Sequence, residues 1–149
     1  MKIGIIVGSI REGRKGEKVG AWLHSIAQER IEAEFDLLDL KSFDVPLLTA
    51  PTVPGSAVPA AFKNAVDSLG PEWTGKTVAF VSYGADSGVR ATEHWRQIVA
   101  NFQIFGVRAT VALSTFTEFH DGEFVPSERR PREANAMLDQ LIAATRRQL

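Results

Sequence analysis

Residues 2–17 read Lys-Ile-Gly-Ile-Ile-Val-Gly-Ser-Ile-Arg-Glu-Gly-Arg-Lys-Gly-Glu, and this stretch decides the fold. Its first part, residues 3–7, is an almost unbroken apolar run, which predicts a strand with both faces covered. Gly8, Gly13 and Gly16 follow, and they allow a backbone turn that exposes N–H groups. The stretch therefore predicts a buried strand that runs through a glycine-rich loop into a helix.

The loop is a candidate site for an anion, most plausibly a phosphate. Ser9 offers a hydroxyl, and Arg11, Arg14 and Lys15 offer cationic N–H donors beside the positive end of the following helix. The glycine spacing differs from G-x-G-x-x-G, and Lys15 precedes Gly16 where G-x-x-x-x-G-K-[ST] requires the reverse order. The alternative interpretation is an ordinary basic loop between a strand and a helix.

The composition bounds the classes of function. The chain has 149 residues, a net charge of −1 and no cysteine. We expect a single domain over residues 1–149, without disulfides or thiol chemistry. The near-neutral charge gives no support to binding of nucleic acid or of an anionic membrane. No apolar run reaches the length of a membrane span and no signal peptide is recognised, so we expect a cytoplasmic protein.

Hydrophobic periodicity predicts helices that alternate with strands along the chain. The predicted helices cover residues 17–30, 59–70, 89–105 and 132–147, and the later strands cover 35–40, 76–82 and 107–113. The proline-rich residues 42–59 are predicted as a loop, and residues 114–130 as a polar, aromatic-rich excursion. This alternation predicts a parallel sheet with helices on both faces and a ligand at the carboxyl ends of the strands.

Helical spacing also predicts which side chains face the core. The predicted inward stripes are Val19, Trp22, Leu23, Ile26 and Ala27 in the first helix, Val89, Thr92, Trp95, Val99 and Phe102 in the third, and Ala136, Met137, Leu141 and Ala144 in the last. Asp36 and Asp39 on the second strand are interpreted as solvated charges of an edge strand. His24 and His94 are interpreted as surface residues, and the spacing of the histidines predicts no metal site.

A second glycine-bounded loop, residues 82–88, follows the third strand. If its strand lies close to the first strand, the two loops converge on one ligand, with a phosphate on one side and a flat group on the other. Tyr83 could border that group or pack in the core, and the first is favoured because it lies in a glycine loop. Asp86 is interpreted as a turn-forming residue rather than a general acid.

Three segments resemble the NADPH-dependent FMN reductase family, which has a flavodoxin-like fold. Residues 8–17 match its G-S-x-R-x-G-R-x-G-E loop, and residues 59–67 resemble its P-A-x-L-K-N-A-I-D helix start. Residues 72–76 and 81–84 resemble its E-W-x-G-K…V-S-Y-G segment, which residues 88–91 continue. The resemblance implies a three-layer αβα arrangement around a parallel sheet.

The chain departs from that family pattern after residue 50. A helix and a central strand that ends in a P-E-Y-N loop normally precede the second of these segments, and about 30 residues of such a unit are absent. The resemblance therefore implies four parallel strands instead of five. Three alternatives remain for the place of the missing central strand: the neighbouring strands close the gap, a partner chain fills it, or the fold is compromised. Unpaired strand edges beside the gap would favour association with another chain.

The resemblance implies FMN and NADPH as cofactors. Around the FMN phosphate it places Ser9, Arg11, Arg14, Lys15, Gly16 and Glu17, and beside the isoalloxazine ring Ser82, Tyr83, Gly84 and Gly88. It implies hydride transfer from NAD(P)H to FMN and on to a quinone, dye, metal ion or flavin, without a catalytic acid or base of the protein, and a homo-oligomer (dimer or tetramer). The alternatives are a non-catalytic relative that keeps an anion pocket and acts by binding or oligomerising, and an abridged or engineered version of a longer parent.

Overall fold

The computed structural model describes residues 1–43 and 60–148, in which strands and helices alternate. The elements are β1 (Lys2–Val7), α1 (Gly16–Gln28), β2 (Glu34–Asp39), α2 (Ala60–Asp67), β3 (Thr77–Gly84), α3 (Val89–Asn101), β4 (Phe105–Ser114), β5 (Phe119–His120), β6 (Glu123–Phe124) and α4 (Arg130–Arg146). Most of the predicted proline-rich loop lies outside the described residues. The predicted helices and strands are all present. The boundary between α3 and β4 differs from the prediction, because β4 begins at Phe105, before the apolar run that starts at residue 107, and α3 ends correspondingly earlier.

The four long strands form two parallel pairs. β1 pairs with β2 from Lys2 opposite Glu34 to Val7 opposite Asp39. β3 pairs with β4 from residue 77 to residue 84, with an irregularity after Val78. In the described part of the chain, no ladder joins one pair to the other. The α/β class is confirmed, and direct closure of the sheet by the neighbouring strands is not what the structure shows.

One helical layer, α1 and α4, supports both strand pairs. Its core takes side chains from every long strand and from both helices, and buried members are Ile5, Phe35, Val111 and Leu113 on the strands with Val19, Leu23, Ala27, Ala134, Met137, Leu138 and Ile142 on the helices. The predicted inward face of α1 is confirmed. In α4, Ala136 is exposed and Ala134 and Leu138 are buried instead, because the buried stripe is shifted around the helix.

A second layer, α2 and α3, covers the opposite face of β3–β4. Val78 and Phe80 point to this layer, whereas Ala79 and Val81, which alternate with them, point to the first. The Phe62 ring of α2 lies 4.5 Å from the Trp95 ring of α3, measured between centroids. The pair β3–β4 therefore lies between two helical layers, which gives the three-layer arrangement.

The pair β1–β2 has an open face on the side opposite α1. Ile6 of β1 is 41% exposed and Leu38 of β2 is 37% exposed. At the start of the same face Lys2 forms ion pairs with Glu34 and Asp36, at 3.4 and 3.0 Å. The prediction that both faces of the first strand are covered is therefore wrong for Ile6, because a local apolar run does not reveal which element covers it.

Candidate functional site

The two glycine loops meet at Gly16, the first residue of α1. A methyl group on Gly16 would lie 3.2 Å from Cβ of Ser9 and 3.2 Å from the hydroxyl oxygen of Tyr83. Ser9 follows the carboxyl end of β1 and Tyr83 lies at the carboxyl end of β3, so both loops reach Gly16 although no ladder within the described residues joins the two strands. The convergence expected for neighbouring strands is therefore present, and it depends on a glycine at position 16.

Arg14 ties the first loop to the end of β2. Its guanidinium donates to the carbonyl oxygen of Ser9 at 2.7 Å, to both carboxylate oxygens of Asp39, and to Glu17 at 3.2 Å. The Arg14 side chain is 7% exposed and that of Asp39 is 28% exposed. Asp39 is therefore a partner of the loop and not the solvated edge charge that we predicted, whereas Asp36 has the predicted surface position.

The same contacts set the charge states of the pair. The hydrogen bond from Arg14 lowers the pKa of Asp39, and the bond to Asp39 raises the pKa of the Arg14 guanidinium. Arg14 thus already uses several N–H groups on the protein. Its Nε is buried and has no hydrogen-bond partner among the described residues. A direct contact between Arg14 and a phosphate stays a prediction, and the observed role of Arg14 is to position the loop.

Other donors of the first loop are open to a ligand. The Ser9 hydroxyl and the Arg11 guanidinium make no hydrogen bond or ion pair within residues 1–43 and 60–148, and Arg11 is exposed. Lys15, the residue before α1, makes no side-chain cap, so within the part of the chain that the structure describes the first N–H groups of the helix have no capping acceptor. The Ser9 hydroxyl, the Arg11 guanidinium and the first N–H groups of the helix are donors that fit a phosphate group.

Lys15 and Glu17 differ in their surroundings. The ammonium of Lys15 lies 4.6 Å from the ring centroid of Phe119, a cation–π contact. Glu17 is exposed in the first turn of α1, where the positive end of the helix dipole stabilises its carboxylate. It also accepts a hydrogen bond from Arg14. Lys15 therefore keeps a cation beside the loop, whereas Glu17 helps to hold Arg14.

The second loop is a tight turn that folds back on β3. Gly88 has a φ of +70°, and a Cβ there would lie 2.9 Å from Cβ of Ser82 and 3.0 Å from the carbonyl oxygen of Tyr83. The N–H of Gly88 donates to Oδ1 of Asp86 at 3.0 Å, which confirms Asp86 as a turn-forming residue. Gly84 lies against this turn, since a Cβ on it would be 3.2 Å from the nitrogen of Gly88.

The histidines do not form a cluster. His24 is half-buried, and its Nε2 lies 3.2 Å from the carbonyl oxygen of Phe35, so it keeps part of its surface exposed while it contacts β2. His94 is exposed on α3, as predicted. In the ranges 1–43 and 60–148, no three or more His, Asp or Glu side chains come together as metal ligands.

A buried ion pair next to the loops was not predicted from the sequence. Glu118 is 1% exposed and accepts hydrogen bonds from Arg130, at the start of α4, and from Ser127. These bonds lower the pKa of Glu118 although burial alone would raise it. A glutamate between the aromatic residues Phe116 and Phe119 was the available signal, and it was read as part of a polar excursion.

A cavity of about 490 Å³ lies between α3 and β4, away from the Gly16 contact. Its polar lining includes Ser82, Thr92, Arg96, Arg108 and Thr110. The Arg96 guanidinium is already bonded to two backbone carbonyl oxygens of β4, at 3.0 and 3.1 Å. Ser82 donates its hydroxyl to the Ser87 carbonyl oxygen at 2.7 Å. Among the predicted site residues, Ser82 lines this cavity, so the cavity adjoins the second loop at Ser82.

None of the helices in the described part of the chain has the length and apolar character that crossing a membrane would require.

Comparisons with known proteins identify the family of the chain. The family described as NADPH-dependent FMN reductase matches residues 1–57 and 51–118, and the two matched segments meet in the stretch where the sequence departs from the family pattern. The NAD(P)H-dependent FMN reductase ntnL of Nectria sp is 30% identical over an alignment that covers 60% of this chain and 63% of that relative. The chain thus spans less than two thirds of the length of that relative.

A solved structure shows the fold. The flavoenzyme NAD(P)H:(acceptor) oxidoreductase FerB from Paracoccus denitrificans superposes with a TM-score of 0.72 at 16% sequence identity, over 99% of this chain and 98% of that chain. The arrangement of helices and parallel strand pairs is therefore flavodoxin-like. With a match to the family over most of its length, the chain belongs to the NADPH-dependent FMN reductase family, and this membership implies FMN and NADPH as cofactors.

Proposed function

We propose that the chain is an NADPH-dependent FMN reductase-type oxidoreductase that binds FMN where the two glycine loops meet. The observation that carries this proposal is the approach of Ser9 and Tyr83 to Gly16, at the start of α1. When bound, FMN accepts a hydride from NADPH and passes electrons to a small-molecule acceptor.

The phosphate end of the site is built from the first loop. Ser9, Arg11 and the first N–H groups of α1 donate to the phosphate, and Lys15 adds a cation. Gly16 lets the loop approach closely, and Arg14 with Glu17 keeps the loop in place through the contacts described above. The helix end is favourable for a dianionic group because its dipole and its unpaired N–H groups act together.

The ring end of the site is built from the second loop. Tyr83, Gly84 and Gly88 border the isoalloxazine ring, and Ser82 holds the turn through its bond to Ser87. No side chain of the protein is assigned an acid or base role, since hydride chemistry belongs to the cofactor and the protein supplies binding and orientation. The electron acceptor is a quinone, a dye, a metal ion or a free flavin.

Titration of the purified chain with FMN tests the proposal. We expect quenching of flavin fluorescence and a flavin absorbance band that stays with the protein on gel filtration. Joint replacement of Ser9→Ala and Arg11→Ala should weaken binding about a hundredfold, because a charge-assisted and a neutral hydrogen bond are lost. Arg132→Ala is the matched control, since Arg132 is an exposed arginine on α4. No FMN binding by the unaltered chain would overturn the proposal.

The lack of a ladder between the two strand pairs in the described residues favours a second candidate function, that of a non-catalytic relative that retains an anion pocket. β1 and β3 are not joined by a ladder in the described residues, and the P-E-Y-N loop is absent from the sequence. This candidate predicts binding of inorganic phosphate at residues 8–17 without binding of FMN. Addition of inorganic phosphate during the FMN titration distinguishes the two candidates. If the first is right, phosphate displaces bound FMN; if the second is right, no FMN is bound and none can be displaced.

We also propose that the chain is a cytoplasmic, single-domain protein over residues 1–149 that forms a homo-oligomer, a dimer or a tetramer. The support is the open face of β1–β2, where Ile6 and Leu38 are exposed, together with the edge of β1 with which no strand of the described residues pairs. Sedimentation velocity of the full chain should show a species larger than the 16.3 kDa monomer. Ile6→Ser with Leu38→Ser should shift it toward monomer, whereas Leu69→Ser, at an exposed leucine elsewhere, should not.

A further inference from the structure

The excursion after β4 is anchored to α4 by a buried ion pair. Arg130 donates to both carboxylate oxygens of Glu118, with Nη2 3.1 Å from Oε2, and Ser127 donates to Oε1 at 3.1 Å. The backbone adds two bonds, since the Glu118 nitrogen donates to Ser114 at 3.1 Å and the Val125 nitrogen donates to Glu118 at 2.9 Å. Breaking such a buried pair is costly, so the β5–β6 hairpin that follows Glu118 has a fixed position.

The hairpin contacts one face of α1 at three successive points. The Phe119 ring lies under the ammonium of Lys15. The Lys18 ammonium donates to the carbonyl oxygen of Gly122 at 2.7 Å and to Glu123 at 2.6 Å. One turn further on, Trp22 contacts Phe124 edge to face at 5.4 Å. Positions 15, 18 and 22 are three and four residues apart and lie on the same side, so the hairpin packs against the residue before α1 and against the first two turns of the helix.

The ring of Phe119 also contacts the second loop. It is 7% exposed, and its centroid lies 6.1 Å from that of Tyr83. Phe119 therefore lies between Lys15 at the start of α1 and Tyr83 at the end of β3. A single buried aromatic side chain thus links both loops of the candidate site.

Lys15 differs from the neighbouring cations in its partners. Arg14 is paired with Asp39 and Glu17, and Lys18 is paired with Glu123. In the described ranges Lys15 has no carboxylate partner, and its ammonium contacts the Phe119 ring. The ring face attracts the ammonium without neutralising it, so the full positive charge remains available to an anion beside the helix start.

We infer that Phe119 is a positioning residue that holds Lys15 for recognition of the FMN phosphate, with the β5–β6 hairpin as its support. This inference rests on the proposed function, because it assigns the phosphate to residues 8–17. It adds that part of the selectivity for FMN over riboflavin, which lacks the phosphate, comes from a side chain that need not touch the cofactor.

The test is a double-mutant cycle read as the ratio of FMN to riboflavin affinity. Lys15→Met should lower FMN affinity about tenfold and leave riboflavin affinity nearly unchanged, whereas Lys15→Arg should keep most of the ratio. Phe119→Leu should lower the ratio about threefold, and Phe119→Tyr, which keeps a ring, should restore it. In the Lys15→Met background, Phe119→Leu should leave the ratio unchanged.

The outcomes separate the inference from the proposed function. If the unaltered chain binds FMN no better than riboflavin, the phosphate site is wrong and the inference falls with it. If the chain prefers FMN but Phe119→Leu weakens both ligands equally, Phe119 has only a structural role and the inference alone is overturned. Independent, multiplicative effects of Lys15→Met and Phe119→Leu on the ratio would overturn it as well. Lys15 lies outside the core, so the Lys15→Met variant tests the phosphate contact without changing the packing of Phe119.

Discussion

Asp39 at the end of β2 holds the guanidinium of Arg14 through both carboxylate oxygens, across 25 residues of sequence. The same carboxylate accepts the backbone N–H of Lys41 at 3.1 Å, so the turn after β2 is fixed together with the loop after β1. The edge strand β2 thus helps to shape the loop that follows the neighbouring strand β1. The Asp39–Arg14 ion pair therefore affects both the stability of the fold and the geometry of the candidate site.

Replacing Asp39 should destabilise the protein and change its response to acid. Asp39→Asn should lower the free energy of unfolding by about 2 kcal/mol at pH 7, since Arg14 is left buried with a weaker partner. The folded-state pKa of Asp39 is depressed, so its contribution is complete above the unfolded-state pKa of about 4 and is lost as pH falls through the lower folded-state value. Urea unfolding at a series of pH values between 2 and 7 measures both effects.

Asp36→Asn is the matched control for that experiment. Asp36 is on the same strand, and its side chain is 43% exposed in its contact with Lys2. Its replacement should change the free energy of unfolding by less than about 0.5 kcal/mol, as is usual for surface pairs. Equal effects of the two substitutions would contradict the assigned role of Asp39.

The turn after β3 should tolerate no side chain at Gly88. Gly88→Ala should destabilise by about 3 kcal/mol, because the left-handed backbone and a contact of 2.9 Å with Ser82 act together. Gly13→Ala, with a similar φ of +63° but no heavy atom within 4 Å of the added methyl, should cost only about 1 kcal/mol. Thermal unfolding of both variants measures the difference, and equal losses would show that the steric contact has no effect.

The close contact at Gly16 should matter more for binding than for folding. Gly16→Ala pushes against Ser9 and the Tyr83 hydroxyl, so we expect about a tenfold loss of FMN affinity from displacement of the loop. Tyr83→Phe removes one of the two contacts, and Gly16→Ala in that background should cost less than in the unaltered chain. Fluorescence titration of the four proteins provides the measurement, and identical losses in both backgrounds would argue against convergence of the loops.

Glu118→Gln should be among the most destabilising substitutions of a charged residue. It leaves the Arg130 guanidinium buried without its main counter-ion, and we expect a loss of about 3 kcal/mol, or about 8 °C in Tm. Glu123→Gln on the same hairpin affects a side chain that is 73% exposed and should shift Tm by less than about 2 °C. Calorimetry of both variants checks this, and a small shift for Glu118→Gln would show that the anchor is dispensable.

The sequence predicted those features that depend on local pattern. The face of α1 that packs in the core follows directly from helical periodicity, with Val19, Leu23 and Ala27 buried. The turn at Asp86 follows from side-chain chemistry that acts over two residues. The convergence of the loops at Gly16 could be predicted only under the assumption that β1 and β3 lie close together, because the local sequence does not determine the order of the strands.

Features that depend on distant partners were not predictable from local sequence. Asp39 was read as a surface charge because its partner lies in another loop, and Glu118 was read as part of a polar excursion because Arg130 begins the next helix. Ile6 was expected to be buried, since an apolar run predicts burial without identifying the covering element. In each case the missing information is tertiary, which periodicity and spacing do not contain.

The absence of a ladder between β1–β2 and β3–β4, within the residues described, has a consequence for cooperativity. Backbone hydrogen bonds do not transmit order from one pair to the other, so the packing of α1 and α4 must do so. Native-state hydrogen exchange should therefore resolve two protection classes, with amides of β1 and β2 opening at a lower free energy than those of β3 and β4, which have helices on both sides. The chain would then behave as two sub-globular unfolding units that share one helical support.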